Sequence, residues 1–149
     1  MMKSRIYLLL IGVCFPLVAS ALEEKRINDD YDRWRGCYYY QNETDVKTGG
    51  TRFYADLSTD GISFKGRMYE DNFVADYDAE VLTSVIVGTI YEDILSFIKQ
   101  YDTASGLKYF VMYLGKANAE RNRITGTWSV PESGNWGYFV MSDRGYPCD

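Results

Sequence analysis

The chain has 149 residues, a net charge of −5 and no histidine. That length fits one domain, and an acidic chain without a basic stripe argues against nucleic acid and anionic membrane surfaces as partners. The missing histidine excludes Ser-His-Asp and Cys-His nucleophile systems and any histidine-bound zinc or haem.

The first residues read as an export signal. Lys3 and Arg5 form a short basic segment, Ile6 to Val18 is an apolar run, and Ala19-Ser20-Ala21 fits a small-residue cleavage site. The run is short for a membrane span, and no later stretch qualifies as one. A lipidated Cys14 is the alternative, but Val13 stands where a small residue is expected. Cleavage near Ala21 removes two positive charges, leaving −7, and delivers the chain to a periplasm or the extracellular space. Two cysteines then remain, Cys37 and Cys148. An even pair in an exported chain is most simply a disulfide. It requires the first strand and the tail after the last to lie close together.

Leu22 to Arg33 is charged and reads as a flexible lead-in to a domain over residues 34–149. Trp34 to Tyr40 is the first strand, with Trp34, Gly36, Tyr38 and Tyr40 inward and Arg35, Cys37 and Tyr39 outward. A polar loop from Asn42 to Gly50 follows, holding the glycosylation sequon Asn42-Glu43-Thr44. Thr51 to Leu57 is the second strand, with Phe53, Ala55 and Leu57 on one face. Ser58-Thr59-Asp60-Gly61 is a tight-turn signal. In the third strand Ile62, Phe64, Gly66 and Met68 alternate with Ser63, Lys65 and Arg67.

Glu70 to Glu80 reads as an acidic loop. Val81 to Tyr91, rich in Val, Ile and Thr, is the fourth strand. Ile94 to Tyr101 is assigned as the fifth, although its apolar spacing also fits a short helix. Asp102 to Gly106 is a turn, Leu107 to Leu114 the sixth strand, and Lys116 to Asn122 a polar loop. The last hairpin has the clearest alternation: Ile124, Gly126, Trp128 and Val130 face one way, Arg123, Thr125, Thr127 and Ser129 the other. Pro131 to Asn135 turns the chain, and Trp136 to Met141 runs back. Eight short strands with regular turns predict an all-β, antiparallel up-and-down barrel, closed near its termini by the Cys37–Cys148 disulfide.

Trp34-x-Gly36 at the entrance and Gly126-x-Trp128 near the exit of such a meander resemble the calycins, the lipocalin-like and avidin-like barrels. Ile124-Thr125-Gly126-Thr127-Trp128 looks like the segment that opens a bacterial avidin-type protein, where it belongs to the first strand rather than the seventh. The resemblance implies a barrel with a ligand-holding mouth. It carries over no biotin-binding residue.

No catalytic, metal or cofactor site is expected. The acidic residues Glu70, Asp71, Asp76, Asp78, Glu80, Glu92 and Asp93 read as solvated loops. Asp76-x-Asp78-x-Glu80 offers oxygens at alternating positions but lacks the glycine of a helix-loop-helix calcium site. The candidate ligand set is the inward aromatic group Tyr38, Tyr40, Phe53, Phe64, Tyr109, Tyr113, Trp128 and Phe139. An eight-stranded barrel is just wide enough to be filled by such side chains or to hold one small ligand, and tyrosine suits an amphipathic one. Lys99 joins the set if Phe97, Lys99 and Tyr101 point inward, as a polar anchor for an acidic ligand group. If Ser96, Ile98 and Gln100 point inward it is an ordinary surface residue, and the pattern leans that way. Trp34 and Trp128 are expected to plug one end together.

The sequence therefore predicts a non-catalytic exported barrel that binds a small apolar or amphipathic ligand. The rival is a protein-binding module, an inhibitor or immunity-type protein, acting through its loops with outward Tyr39 and Tyr54 as anchors. A filled interior would favour the rival.

Overall fold

The computed structural model describes residues 33–41, 50–74 and 78–148. The export segment, the lead-in as far as residue 32, the sequon and Asp76 lie outside them. Eight antiparallel strands run in order: β1 Arg33–Tyr40, β2 Thr51–Thr59, β3 Ser63–Asp71, β4 Val81–Tyr91, β5 Ile94–Tyr101, β6 Phe110–Ala117, β7 Arg123–Ser129 and β8 Trp136–Ser142. Each pairs with the next, and β1 pairs with β8 to close the barrel. The expected strand order and closure are therefore observed.

Alternation places one face of every strand inside. Phe53, Phe64, Met68, Leu82, Ile86, Leu95, Phe97, Tyr113 and Phe139 are buried in one continuous core. Rings and glycines fill it reciprocally. Gly36 pairs across β1–β2 with Phe53, Gly88 pairs with both Phe64 and Phe97, and Gly126 pairs with Phe139. Each glycine leaves the space that a neighbouring ring occupies. A methyl group at Gly126 would meet the Cα of Gly115 at 2.5 Å and the Phe139 ring at 2.7 Å. Gly126→Ala is accordingly expected to cost about 1–3 kcal/mol by overpacking. A urea midpoint equal to that of the parent would show that the ring can move aside.

The meander sorts its connections by length. Tight turns after β2, β4 and β6 lie at one end, while the described residues that follow β1, β3, β5 and β7 lie at the other. Asp60 ties the first tight turn by accepting from the backbone N–H groups of Ile62 and Ser63 at 3.0 and 2.7 Å. A short 3₁₀ turn, Thr103–Ser105, interrupts the segment after β5. Among the described residues, this second end forms the mouth, rimmed by Tyr40 and Phe73.

Several expectations are corrected. The third strand starts at Ser63 and runs on to Asp71, so Glu70 lies on an inward strand position and Ile62 is exposed in the turn. Residues 94–101 do form the fifth strand as assigned, and the alternative of a short helix falls away because Leu95, Phe97, Lys99 and Tyr101 all find the interior. The sixth strand begins at Phe110, leaving Tyr109 in the preceding connection, and extends through Lys116 to Ala117. Trp34 and Trp128 do not plug one end together. Trp128 and Tyr40 both pair with Gly137 at the mouth, whereas Trp34 lies six residues earlier along β1, toward the other end.

Cys37 points outward as expected, but it is fully covered. The chain after β8 folds back to bond it through Cys148, with Cα atoms 6.2 Å apart. Tyr146 of that tail lies under the Arg52 guanidinium, 5.1 Å from the ring centre.

Candidate functional site

The interior is apolar except near the mouth, where β3 and β5 each carry a charge inward. Glu70 is in phase with Phe64, Gly66 and Met68, and Lys99 with Leu95, Phe97 and Tyr101. Barrel curvature brings the two together across the interior. The Lys99 ammonium donates to both Glu70 oxygens at 3.1 and 3.0 Å and to the Tyr101 hydroxyl at 2.8 Å. Tyr101 in turn donates to Glu70 Oε1 at 2.5 Å. Lys99 is 1% exposed and Glu70 3%. Both the surface reading of Lys99 and the solvated-loop reading of Glu70 are thus overturned. A buried charge persists only when paired and hydrogen-bonded, and each supplies what the other lacks.

Rings surround the pair. The Lys99 Nζ lies 4.3 Å from the centre of the Tyr101 ring, 5.6 Å from that of Tyr38 and 5.9 Å from that of Tyr113. Above them Tyr40 stands edge-on to Trp128 at 4.9 Å, and the Trp128 indole N–H donates to the Tyr39 carbonyl at 3.1 Å. Tyr109 packs edge-on to Tyr101 at 5.6 Å, and Phe73, from the segment after β3, approaches Tyr101 at 6.2 Å. Tyr40 and Phe73 are the exposed lips, 43% and 50% accessible.

The mouth encloses a cavity of about 20 Å³ lined by Tyr38, Tyr40, Phe73, Lys99, Tyr101, Tyr109, Val111, Tyr113, Trp128 and Val130. Six of the candidate residues, Tyr38, Tyr40, Lys99, Tyr109, Tyr113 and Trp128, meet here. Phe53, Phe64 and Phe139 do not line the cavity and are buried in the core away from it. Sequence reading missed Glu70 and Phe73, and placed Tyr101 inward only on the condition that Lys99 was. Glu70 could have been found by extending the alternating face of the third strand two residues past Met68.

Burial sets the acid-base properties. Desolvation pushes the Lys99 ammonium below its ordinary range, opposed by the Glu70 carboxylate. Desolvation, reinforced by Glu70, pushes the hydroxyls of Tyr38, Tyr101 and Tyr113 well above theirs. These tyrosines ionise near pH 10 when unfolded but stay neutral in the barrel at that pH. Their contribution is complete below pH 10 and is lost as pH rises beyond it. Stability should then fall by up to about 1.4 kcal/mol per pH unit for each of the three. Alkaline unfolding followed by tyrosinate absorbance tests this, and a gradual titration without an unfolding step would contradict it.

Among the described residues no group of three or more His, Cys, Asp or Glu side chains could hold a metal ion. Asp78 and Glu80 are exposed, and Asp93 pairs with Lys116 at 3.2 Å on the surface. No helix among the described residues is long and apolar enough to cross a membrane.

The outer face has its own character. Across β4, β5 and β6, Val87, Ile98 and Met112 form one row through paired positions. Leu114, Thr127, Tyr138 and Tyr39 form another across β6, β7, β8 and β1. An open groove of about 500 Å³ lies beside Tyr39, Thr127, Tyr138 and Val140. The opposite flank is polar, with Tyr54 stacked on Tyr69 at 4.6 Å and capped by Arg33.

No family model matches the chain, and no curated protein matches it. A solved structure of a redesigned β-barrel, mFAP1, bound to DFHBI, is similar in fold. It is 9% identical with a TM-score of 0.53, over 76% of this chain and 94% of that one. That likeness agrees with the calycin expectation at the level of an eight-stranded barrel.

Proposed function

We propose that this protein is an exported calycin-like barrel that binds a small amphipathic molecule at its mouth and performs no catalysis. The observation that carries the reading is the placement of the Lys99–Glu70–Tyr101 cluster beneath a collar of aromatic rings open to solvent. Ligand sites pair apolar walls with a few convergent polar groups, and here Tyr40, Phe73, Tyr109 and Trp128 supply the walls. The filled waist moves the site from the whole interior to the mouth, so the ligand sits on the collar and sends one small polar group down. A barrel of similar fold that is bound to DFHBI is compatible with this reading.

The test is a titration of the full chain with a panel of hydrophobic fluorophores. A saturable signal is expected, weakened about tenfold by Tyr109→Ala, the loss of one ring contact of roughly 1.4 kcal/mol. A panel with no saturable response would sink the proposal.

The filled waist, the outcome that favours the rival, supports a second reading together with the outer apolar rows and groove, namely the protein-binding module. Tyr39 and Tyr138 would then be its anchors, since Tyr54 is engaged by Tyr69 and Arg33. Cross-linking partners that respond to Tyr138→Ala but not to Tyr109→Ala would favour it.

A further inference from the structure

We propose that Lys99 is a carbonyl-capture site, whose amine condenses with a small aldehyde to form a protonated imine opposite Glu70. This rests on the reading of the mouth as a ligand site and names the ligand's reactive group. Three observations lead to it.

The first is accessibility of the right kind. Lys99 is buried, yet it lines the mouth cavity together with the exposed lips Tyr40 and Phe73. About 20 Å³ admits one water-sized group. A formyl group has that size, while the rest of the aldehyde remains on the aromatic collar. A ketone, with carbon on both sides, would not fit.

The second is the acid-base equipment. The titratable groups facing Nζ are Glu70 from β3, Tyr101 from β5, Tyr38 from β1 and Tyr113 from β6, with Tyr109 beyond Tyr101. Glu70 at 3.0 Å can take a proton from the ammonium and leave a nucleophilic lone pair. The amine attacks the carbonyl carbon, the C–N bond forms, and the carbonyl π pair moves to oxygen. That oxygen takes a proton from the nitrogen, giving a neutral carbinolamine. Glu70 then returns its proton to the hydroxyl, which leaves as water while the nitrogen lone pair closes the C=N bond. Ammonium and aldehyde have become iminium and water, with no change of oxidation state.

The third is charge conservation. The product carries one positive charge beside the Glu70 carboxylate, as the ammonium did, so no buried charge is left unpaired. The rings of Tyr38, Tyr101 and Tyr113 offer their faces to that cation. Exposed lysines such as Lys65 and Lys116 have no such enclosure.

The experiment treats the full chain with p-dimethylaminobenzaldehyde and sodium cyanoborohydride, then maps the reduced adduct by peptide mass spectrometry. The expected result is one dominant adduct on Lys99, at least about tenfold above Lys65, Lys108 or Lys116. A tenfold ratio is a preference of about 1.4 kcal/mol, set by the enclosure and the Glu70 carboxylate that the surface lysines lack. Lys99→Arg keeps the charge opposite Glu70 and should abolish the adduct; if that variant fails to fold, the parent's map decides. Labelling spread over surface lysines with Lys99 unmodified overturns the inference. The fluorophore titration, run in parallel, separates the two claims. Saturable binding with an unlabelled Lys99 overturns capture and leaves the mouth as a ligand site, whereas neither signal removes both.

Discussion

Glu70→Leu is expected to destabilise the barrel by about 3–5 kcal/mol, because it leaves the Lys99 ammonium buried with no counter-charge. The Tyr101 hydroxyl would remain as the one neighbouring acceptor of its three hydrogen bonds. Lys99→Met should cost a comparable amount for the mirrored reason, an unpaired carboxylate at 3% exposure. The double variant Glu70→Leu/Lys99→Met is expected to be far milder than the sum, since replacing a whole buried pair by apolar groups of similar volume is often neutral or stabilising. Urea unfolding of all four chains closes the double-mutant cycle. Additive losses would show that the two residues act independently, contrary to the geometry. A stable double variant that no longer binds amphipathic probes would identify the pair as a functional element rather than a structural one.

Reduction of the Cys37–Cys148 bond is expected to lower stability by about 5 kcal/mol on the chain-entropy model, for a crosslink between residues 111 apart. The paired variant Cys37→Ala/Cys148→Ala should lose a similar amount. The tail beyond Ser142 would lose its tether to β1, and Tyr146 its fixed place on Arg52. The β1–β8 seam would keep its ladder from Arg35–Ser142 to Tyr40–Gly137, so the reduced barrel should remain closed at low denaturant. Denaturant midpoints of oxidised and reduced protein measure the difference. Coincident midpoints would place the stabilisation elsewhere.

The period-2 alternation made the barrel legible in the sequence. Trp34 to Tyr40, Thr51 to Leu57 and Arg123 to Ser129 each declare their two faces by alternation, and the cysteine pair announces the closure. The centre of the site was hidden for the same reason. Glu70 follows Tyr69 and precedes Asp71, in a run whose polarity imitates a loop, and Lys99 is flanked by Ile98 and Gln100 on the opposite face. Strand propensity treats each charge singly as a sign of solvent. Their complementarity is a long-range fact, created when the strands on either side of β4 curve toward each other. Two opposite charges in phase with apolar faces, on strands separated by one, are the signal that sequence alone offers. The filling of the waist could not be read, since it depends on which ring enters the space beside which glycine.

The ordering of the strands also sets the kinetics of assembly. Seven of the eight pairings join consecutive strands, so they close over short loops and can zip as successive hairpins. The β1–β8 pairing instead brings together Tyr38 and Phe139, 101 positions apart, and its loop-closure entropy must be met before the contacts reward it. Barrel closure is therefore the pairing expected to form last. A chain that keeps its disulfide while unfolded begins with that encounter already made, and its folding should be the faster of the two redox forms.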